Sequence, residues 1–224
     1  MKIICIADLQ GQCESILPEM LPKGDMLLIA GDLASWGTKK ELETVNKWLG
    51  TLSYKYKIVV AGNHDQALEK EDGHKLFTNA IYLQDELVEI EGLRIYGSPV
   101  NEMNELRLNY SWGFCDPKYI IEATEKISEN LDILLTHGGP MGILDKINRN
   151  GKQVGSPELL RAVLKKKPLF HIFGHIHESY GILGKDKTEF INAAIMNERN
   201  ELFQENGELM HQPIVINIKT NTKR

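Results

Sequence analysis

The strongest constraint on the fold is a recurring unit: a short apolar run of strand type that stops at a polar residue able to hold a metal. Residues 2–7 (KIICIA) stop at Asp8, 25–31 (DMLLIAG) at Asp32, and 56–62 (YKIVVAG) at Asn63-His64-Asp65. Residues 131–138 (LDILLTHG) end on His137, and 169–175 (LFHIFGH) lead into His175-Ile176-His177. Two more runs, 93–97 (LRIYG) and 213–218 (PIVINI), have the same character. Most are β-branched and unalternated, the pattern of strands covered on both faces.

Helical patterns separate these runs. Residues 38–52 put Leu42, Val45, Trp48, Leu49 and Leu52 on one stripe and open with Thr38 and Glu41 at capping-box spacing. Residues 116–131 open with Asp-Pro and align Ile120, Ala123, Ile127 and Leu131. Residues 156–167 open with Ser-Pro and close on Lys165, Lys166 and Lys167, a solvated last turn facing the helix dipole. Strands alternating with helices predict an α/β domain. Closely spaced runs at 81–83, 86–90, 93–97, 179–184 and 187–191 predict antiparallel hairpins and hence mixed sheets. No repeat, low-complexity stretch or linker divides the chain, so residues 1–224 read as a single domain.

In open α/β sheets, ligands bind beyond the carboxyl ends of the strands, so the five polar strand ends are expected to converge. A lone Gly-Asp after a strand is ordinarily a turn or a cap. Gly-Asn-His-Asp and Gly-His-Ile-His are rarer, and the ordered set of five is harder still to obtain by accident. Carboxylate, amide and imidazole donors suit a pair of divalent Mn, Fe, Zn, Ni or Co ions, and the lack of thiolates argues against structural zinc. Gly31, Gly62 and Gly174 precede ligand positions and permit the close backbone approach that a crowded site needs.

Charge bears directly on this reading. Thirty-one acidic against 26 basic residues leave a net charge of -5, with no global field for nucleic acid or an anionic membrane. An extended nucleic-acid partner is therefore not expected, and any phosphate must be handled locally. The apolar run at the N-terminus is too short for a signal peptide or a membrane span. Three cysteines without metal-type spacing (Cys5, Cys13, Cys115) make a disulfide framework improbable. A cytoplasmic protein is expected. Cys5 reads as core and Cys115 as loop, while Cys13 lies near the site without a visible activating group.

The motifs Asp8-Leu9-Gln10, Gly31-Asp32, Gly62-Asn63-His64-Asp65, Thr136-His137-Gly138-Gly139-Pro140 and Gly174-His175-Ile176-His177 resemble those of the calcineurin-like metallophosphoesterases. The resemblance spans about residues 2–218. Finer text is similar to the group that includes the brain-expressed metallophosphoesterase-domain proteins: NKWLGTL, KIVVAGNHD, YGSP, SWGF, LLTHGGPMG, HIFGHIHESYG and FINAA. It implies a four-layer α-β-β-α sandwich with two mixed β-sheets and a centre of two divalent metals, Mn2+ foremost. Asp32 would bridge the pair. Asp8, His177 and position 10 would complete the first metal, and Asn63, His137 and His175 the second. Asn63 and His64 would face the phosphoryl group, with His64 as general acid or transition-state donor oriented by Asp65. Two-metal chemistry generates a nucleophile from water and clamps phosphoryl oxygens, supplying the positive field that the chain lacks overall.

Position 10 departs from the family pattern, because Gln10 stands where histidine is usual. Its amide oxygen either ligates the first metal weakly or lies outside the coordination sphere. Either way the second metal is expected to bind more tightly. His171 reads as a satisfied core histidine, and His74 and His211 as solvent-facing or structural. The loop 98–116 carries Arg107, a candidate contact for substrate phosphate, and the aromatics Tyr110, Trp112 and Phe114, which either stack a nucleobase or pack over the domain. The loop 138–155 follows a ligand strand and is expected to line the same cleft. The expected activity is hydrolysis of a small, cyclic-nucleotide-like phosphodiester. A phosphomonoesterase or nuclease of the same fold, or a metal-binding scaffold with weak or no turnover because of Gln10, is the alternative.

Overall fold

A computed structural model describes residues 1–102, 114–148 and 151–219. Eleven strands among these residues form two sheets. In the first, β1 (Lys2–Ile6), β2 (Met26–Ala30), β3 (Tyr56–Val60) and β4 (Ile81–Tyr82) run parallel, and β11 (Ile214–Asn217) closes the edge antiparallel to β1. The second has the order β5-β6-β7-β8-β10-β9. Its centre, β6 (Leu93–Ser98), β7 (Ile133–Thr136), β8 (Phe170–Phe173) and β10 (Thr188–Asn192), is parallel. The hairpin strands β5 (Glu86–Ile90) and β9 (Gly181–Lys185) flank it antiparallel.

The pleat explains why these strands carry no polar alternation. On β1, Ile3 and Cys5 face the second sheet, packing with Ile95, Ile133, Ile172 and Ile191, while Ile4 and Ile6 face outward. That outer face is covered by helix α1 (Lys39–Thr51) through Leu42, Val45, Trp48 and Leu49. The outer face of the second sheet, with Tyr96, Leu134, Phe173 and Phe190, is covered by α3 (Pro117–Lys126) and α4 (Pro157–Lys166). The result is the expected α-β-β-α layering.

The helix starts follow their caps. The Thr38 hydroxyl accepts from the Glu41 N–H and the Glu41 side chain returns to Thr38, a complete capping box. Asp116 accepts from the Lys118 and Tyr119 amides, and Ser156 from Leu159. Two expectations need correction. The run at 81–83 does not form a hairpin: β4 joins β3 in parallel, because the chain crosses over through a short helix α2 (Gly73–Leu76). The helix expected to reach 131 stops at Lys126, and Asn130 turns left-handed at φ 56°. Ile127 and Leu131 remain buried there as loop residues, so their helical spacing was misleading. Among the described residues, no helix is long and apolar enough to cross a membrane.

Candidate metal centre

Every strand-end residue of the recurring unit lies just beyond the carboxyl end of a parallel strand, three from the first sheet and two from the second. Asp8 and Gln10 follow β1, Asp32 follows β2, Asn63-His64-Asp65 follow β3, His137 follows β7, and His175 and His177 follow β8. Hydrogen bonds tie the two sheets together here. The His137 ring meets the Ala30 carbonyl at 2.8 Å, and the His175 N–H reaches the Asp8 carboxylate at 3.0 Å. Asp8, Gln10, Asp32 and His175 all have positive φ, from 44° to 71°. Such backbone costs about 1–3 kcal/mol per residue and persists where surrounding structure over-determines it, as at binding sites. A Cβ at Gly62 or Gly174 would collide with the carboxylate of Asp32 or Asp8, which explains both glycines.

Asp32 sits in the middle. Its Oδ1 lies 3.3 Å from His137 Nε2 and accepts the His64 N–H at 2.9 Å, while Oδ2 accepts the Gln10 amide at 2.8 Å. Ligand atoms of Asp32, His137 and His175 all lie within 4.8 Å of one another. Asn63 Oδ1 stands 2.9 Å from His137 Nε2. On the other side, His177 Nε2 is 3.3 Å from Asp8 Oδ1. Both outer histidines are held in one tautomer. A carbonyl only accepts, so His137 Nδ1 donates to Ala30 and His177 Nδ1 to Asn197, at 2.8 Å each. Their Nε2 atoms are thereby aimed at the carboxylates as lone pairs when neutral, the arrangement that metal-binding imidazoles use.

Electrostatics agree with a cation site. Burial disfavours charge on Asp32, but the His137 ring outweighs it and holds the acid well below the ordinary carboxylate range. Burial likewise opposes charge on His137 and His177, yet Asp32 and Asp8 respectively push each up to about 9. His175 goes the other way, down to about 3, through burial and the neighbouring His137. The carboxylates thus draw positive charge onto the Nε2 atoms, and a divalent ion can replace those protons. The donor set of buried carboxylate, amide oxygen and imidazole fits such an ion.

Gln10 presents its NH2 group to Asp32, so its side chain supports the carboxylate and does not offer an oxygen there. Asp65 differs from the expectation. Its carboxylate accepts three backbone N–H groups, from Leu33 (3.1 Å), Ala34 (2.8 Å) and Gly62 (2.7 Å). Burial and the Asp32 charge push it up to about 7 against these donors, and with both oxygens accepting, the geometry uses the carboxylate. Asp65 therefore braces the two loops carrying Asp32 and His64. The His64 ring is oriented by the Ser35 carbonyl, 2.7 Å from Nδ1.

Arg107, Tyr110 and Trp112 lie outside the described residues. Phe114 is buried against Tyr119 with ring centroids 5.7 Å apart, so it packs. His171 is buried and half satisfied. Thr136 Oγ donates to the Gly138 carbonyl, so His171 Nε2 must donate to Thr136, leaving Nδ1 without a partner. Burial pushes that ring down to about 3. His74 is exposed and pairs with Glu86, while His211 stacks on Tyr180 and bonds the Ala194 carbonyl. Of the loop expected to line the cleft, Lys146 exchanges two hydrogen bonds with Ser179, two residues past His177. The three thiols are buried, which raises each above the usual range, Cys13 to about 11. Ser35, Asn101 and Asn197 contribute to the site although no motif points to them. Two of them act through backbone carbonyls, which no residue type advertises. Trp36, 78 % exposed, follows the residue that holds His64.

The chain belongs to the calcineurin-like phosphoesterase family, whose model matches residues 1–179. It is 35 % identical over 247 aligned residues to metallophosphoesterase domain-containing protein 1 of Homo sapiens, covering 98 % of this chain and 71 % of that one. A UPF0046 protein of Caenorhabditis elegans is 33 % identical over 218, covering 90 % and 72 %. The crystal structure of TT1561 of Thermus thermophilus shares the fold, with a TM-score of 0.60 at 14 % identity over 85 % of this chain and 88 % of that one.

Proposed function

We propose that this chain is a single-domain cytoplasmic hydrolase of small phosphodiesters, acting through two divalent metal ions, Mn2+ foremost. The observation that carries the reading is the position of Asp32, whose two oxygens face Gln10 on one side and His137 on the other. When bound, such ions supply Lewis acidity toward phosphoryl oxygens and a nucleophile from water at neutral pH. Asp8 and His177, with Gln10 beside them, would hold the first. Asn63, His137 and His175 would hold the second, with Asp32 shared. The NH2 of Asn63 and Arg107 would complete the phosphate contacts.

His64 would serve the leaving group. Its Nδ1 is committed to the Ser35 carbonyl, so Nε2 carries a proton only in the imidazolium form. Protonated, it can deliver that proton to the departing oxygen, and such a group contributes about 10²–10⁴-fold. Trp36, next in the chain to that anchor and 78 % exposed, is a candidate stacking surface for a substrate with a flat ring, such as a cyclic nucleotide.

Metal-stripped protein reconstituted with Mn2+, Ni2+, Fe2+ or Zn2+ should hydrolyse bis-p-nitrophenyl phosphate, with His64→Ala slowing turnover and Asn63→Ala abolishing it. Absence of turnover with every metal would sink the reading. The Gln10 amide directed at Asp32 favours one variant of it, a weak first metal and low turnover. Two equally tight sites in calorimetry would dismiss that variant.

A further inference from the structure

Asn101, in the loop after β6, is fully buried and has no assigned role. Its Nδ2 donates to Asn63 Oδ1 at 3.1 Å, and its Oδ1 accepts from the Cys115 thiol at 3.2 Å. An amide has one donating end and one accepting end, and here the Cys115 thiol donates to the Asn101 oxygen. That pairing leaves the Asn101 NH2 on the side of Asn63, where it donates. The same atom, Asn63 Oδ1, lies 2.9 Å from His137 Nε2, which is 3.3 Å from Asp32 Oδ1. Three acceptors thus meet around one point, a placement that oxygen and nitrogen atoms avoid unless a cation or proton sits among them.

Without a constraint, Asn63 could rotate its amide and offer NH2 to this cluster, which would repel a cation. We propose that Asn101 is a positioning residue that fixes the oxygen of Asn63 toward His137 and Asp32, and that Cys115 sets the orientation of Asn101 in turn. The backbone reinforces the link. The Gly138 N–H bonds the Val100 carbonyl at 2.9 Å, and a Cβ on Gly138 would lie 2.6 Å from the Asn101 Cα. Asn101 is thereby clamped against the turn that carries His137, so the ligand and the group that aims it move together.

The inference rests on the metal-centre reading above, and one experiment separates the two. Mn2+ affinity is measured by calorimetry on the folded apoproteins, alongside Co2+ absorption spectra and apoprotein melting. Asn101→Asp keeps the shape but replaces the donor with an oxygen facing Asn63. Asn101→Ala removes the donor and leaves a cavity. A positioning role predicts that both variants lose affinity, by about 10–100-fold as for other groups that orient metal ligands, with Asp worse than Ala and an altered Co2+ spectrum. A packing role predicts the reverse order, with Ala losing melting temperature while both keep metal affinity, and that result would overturn the proposal. If the Asp chain does not fold, Asn101→Ala and Cys115→Ala decide it by the same affinity and spectrum. Wild-type protein that binds no Mn2+ would instead refute the metal-centre reading itself.

Discussion

Replacing Asp65 with asparagine tests how the centre is braced. Asp65 Oδ2 accepts from Leu33 and Gly62, and Oδ1 accepts from Ala34 at 2.8 Å, all in a fully buried setting. Asparagine has nearly the same shape but only one accepting end. Its best orientation keeps the oxygen on Leu33 and Gly62 and turns NH2 toward the Ala34 N–H. One charged hydrogen bond is then lost and a buried donor is left unsatisfied, at about 1–3 kcal/mol. For a chain of this size, each kcal/mol lowers the melting temperature by about 2–4 °C, so Asp65→Asn should melt about 2–12 °C lower. Scanning calorimetry on the apoprotein reads this without reference to turnover. If Asp65 acted chiefly by orienting the His64 ring, the variant would melt like the wild type and lose only kcat. An unchanged melting temperature would refute the bracing role.

The four shifted histidines together should make the apoprotein most stable near pH 6.5, with the raised Asp65 carboxyl giving back part of their gain on the acid side. Below that value the unfolded state protonates His171 and His175 while the folded state, with both near 3, does not, so acid favours unfolding. Above it, His137 and His177 remain protonated in the folded state up to about 9, so their stabilisation is lost as pH rises from 6.5 to 9. Bound Mn2+ should remove that alkaline loss, and urea titrations of apoprotein across this range that show a plateau from 6.5 to 9 would contradict the assignment. Gln10→His should tighten Mn2+ binding at the weaker site, whereas an unchanged calorimetric titration would mean that position 10 never reaches the metal. Trp36→Ala should raise KM for a cyclic nucleotide several-fold while leaving KM for methyl-bearing phosphodiesters unchanged; equal KM shifts for both would remove Trp36 from substrate binding.

Much of the fold was legible because both sheets are covered on both faces. That burial makes strands such as MLLIA and IVV uniformly apolar, and their polar terminators then stand out as a set. Capped helix starts were equally readable, since Thr38, Asp116 and Ser156 act on amides two or three residues away. Helix ends and the partner of β4 were less so. Whether 127–131 continues a helix depends on where Asp132 must stand for its carboxylate to accept the Arg94 backbone N–H, a contact 38 residues distant.

Residue types and their spacing carry the candidate ligands, the layering and the chemistry that those residue types favour. Only the tertiary structure decided which atoms face the centre. It set the tautomers of His137 and His177 through the carbonyls of Ala30 and Asn197, and it turned Asp65 onto three amides and His64 onto Ser35. It also brought Asn101 behind Asn63. The physical reason is that these choices are made by backbone carbonyls and N–H groups from distant strands. Every residue carries them, so no pattern of side chains announces where they will point.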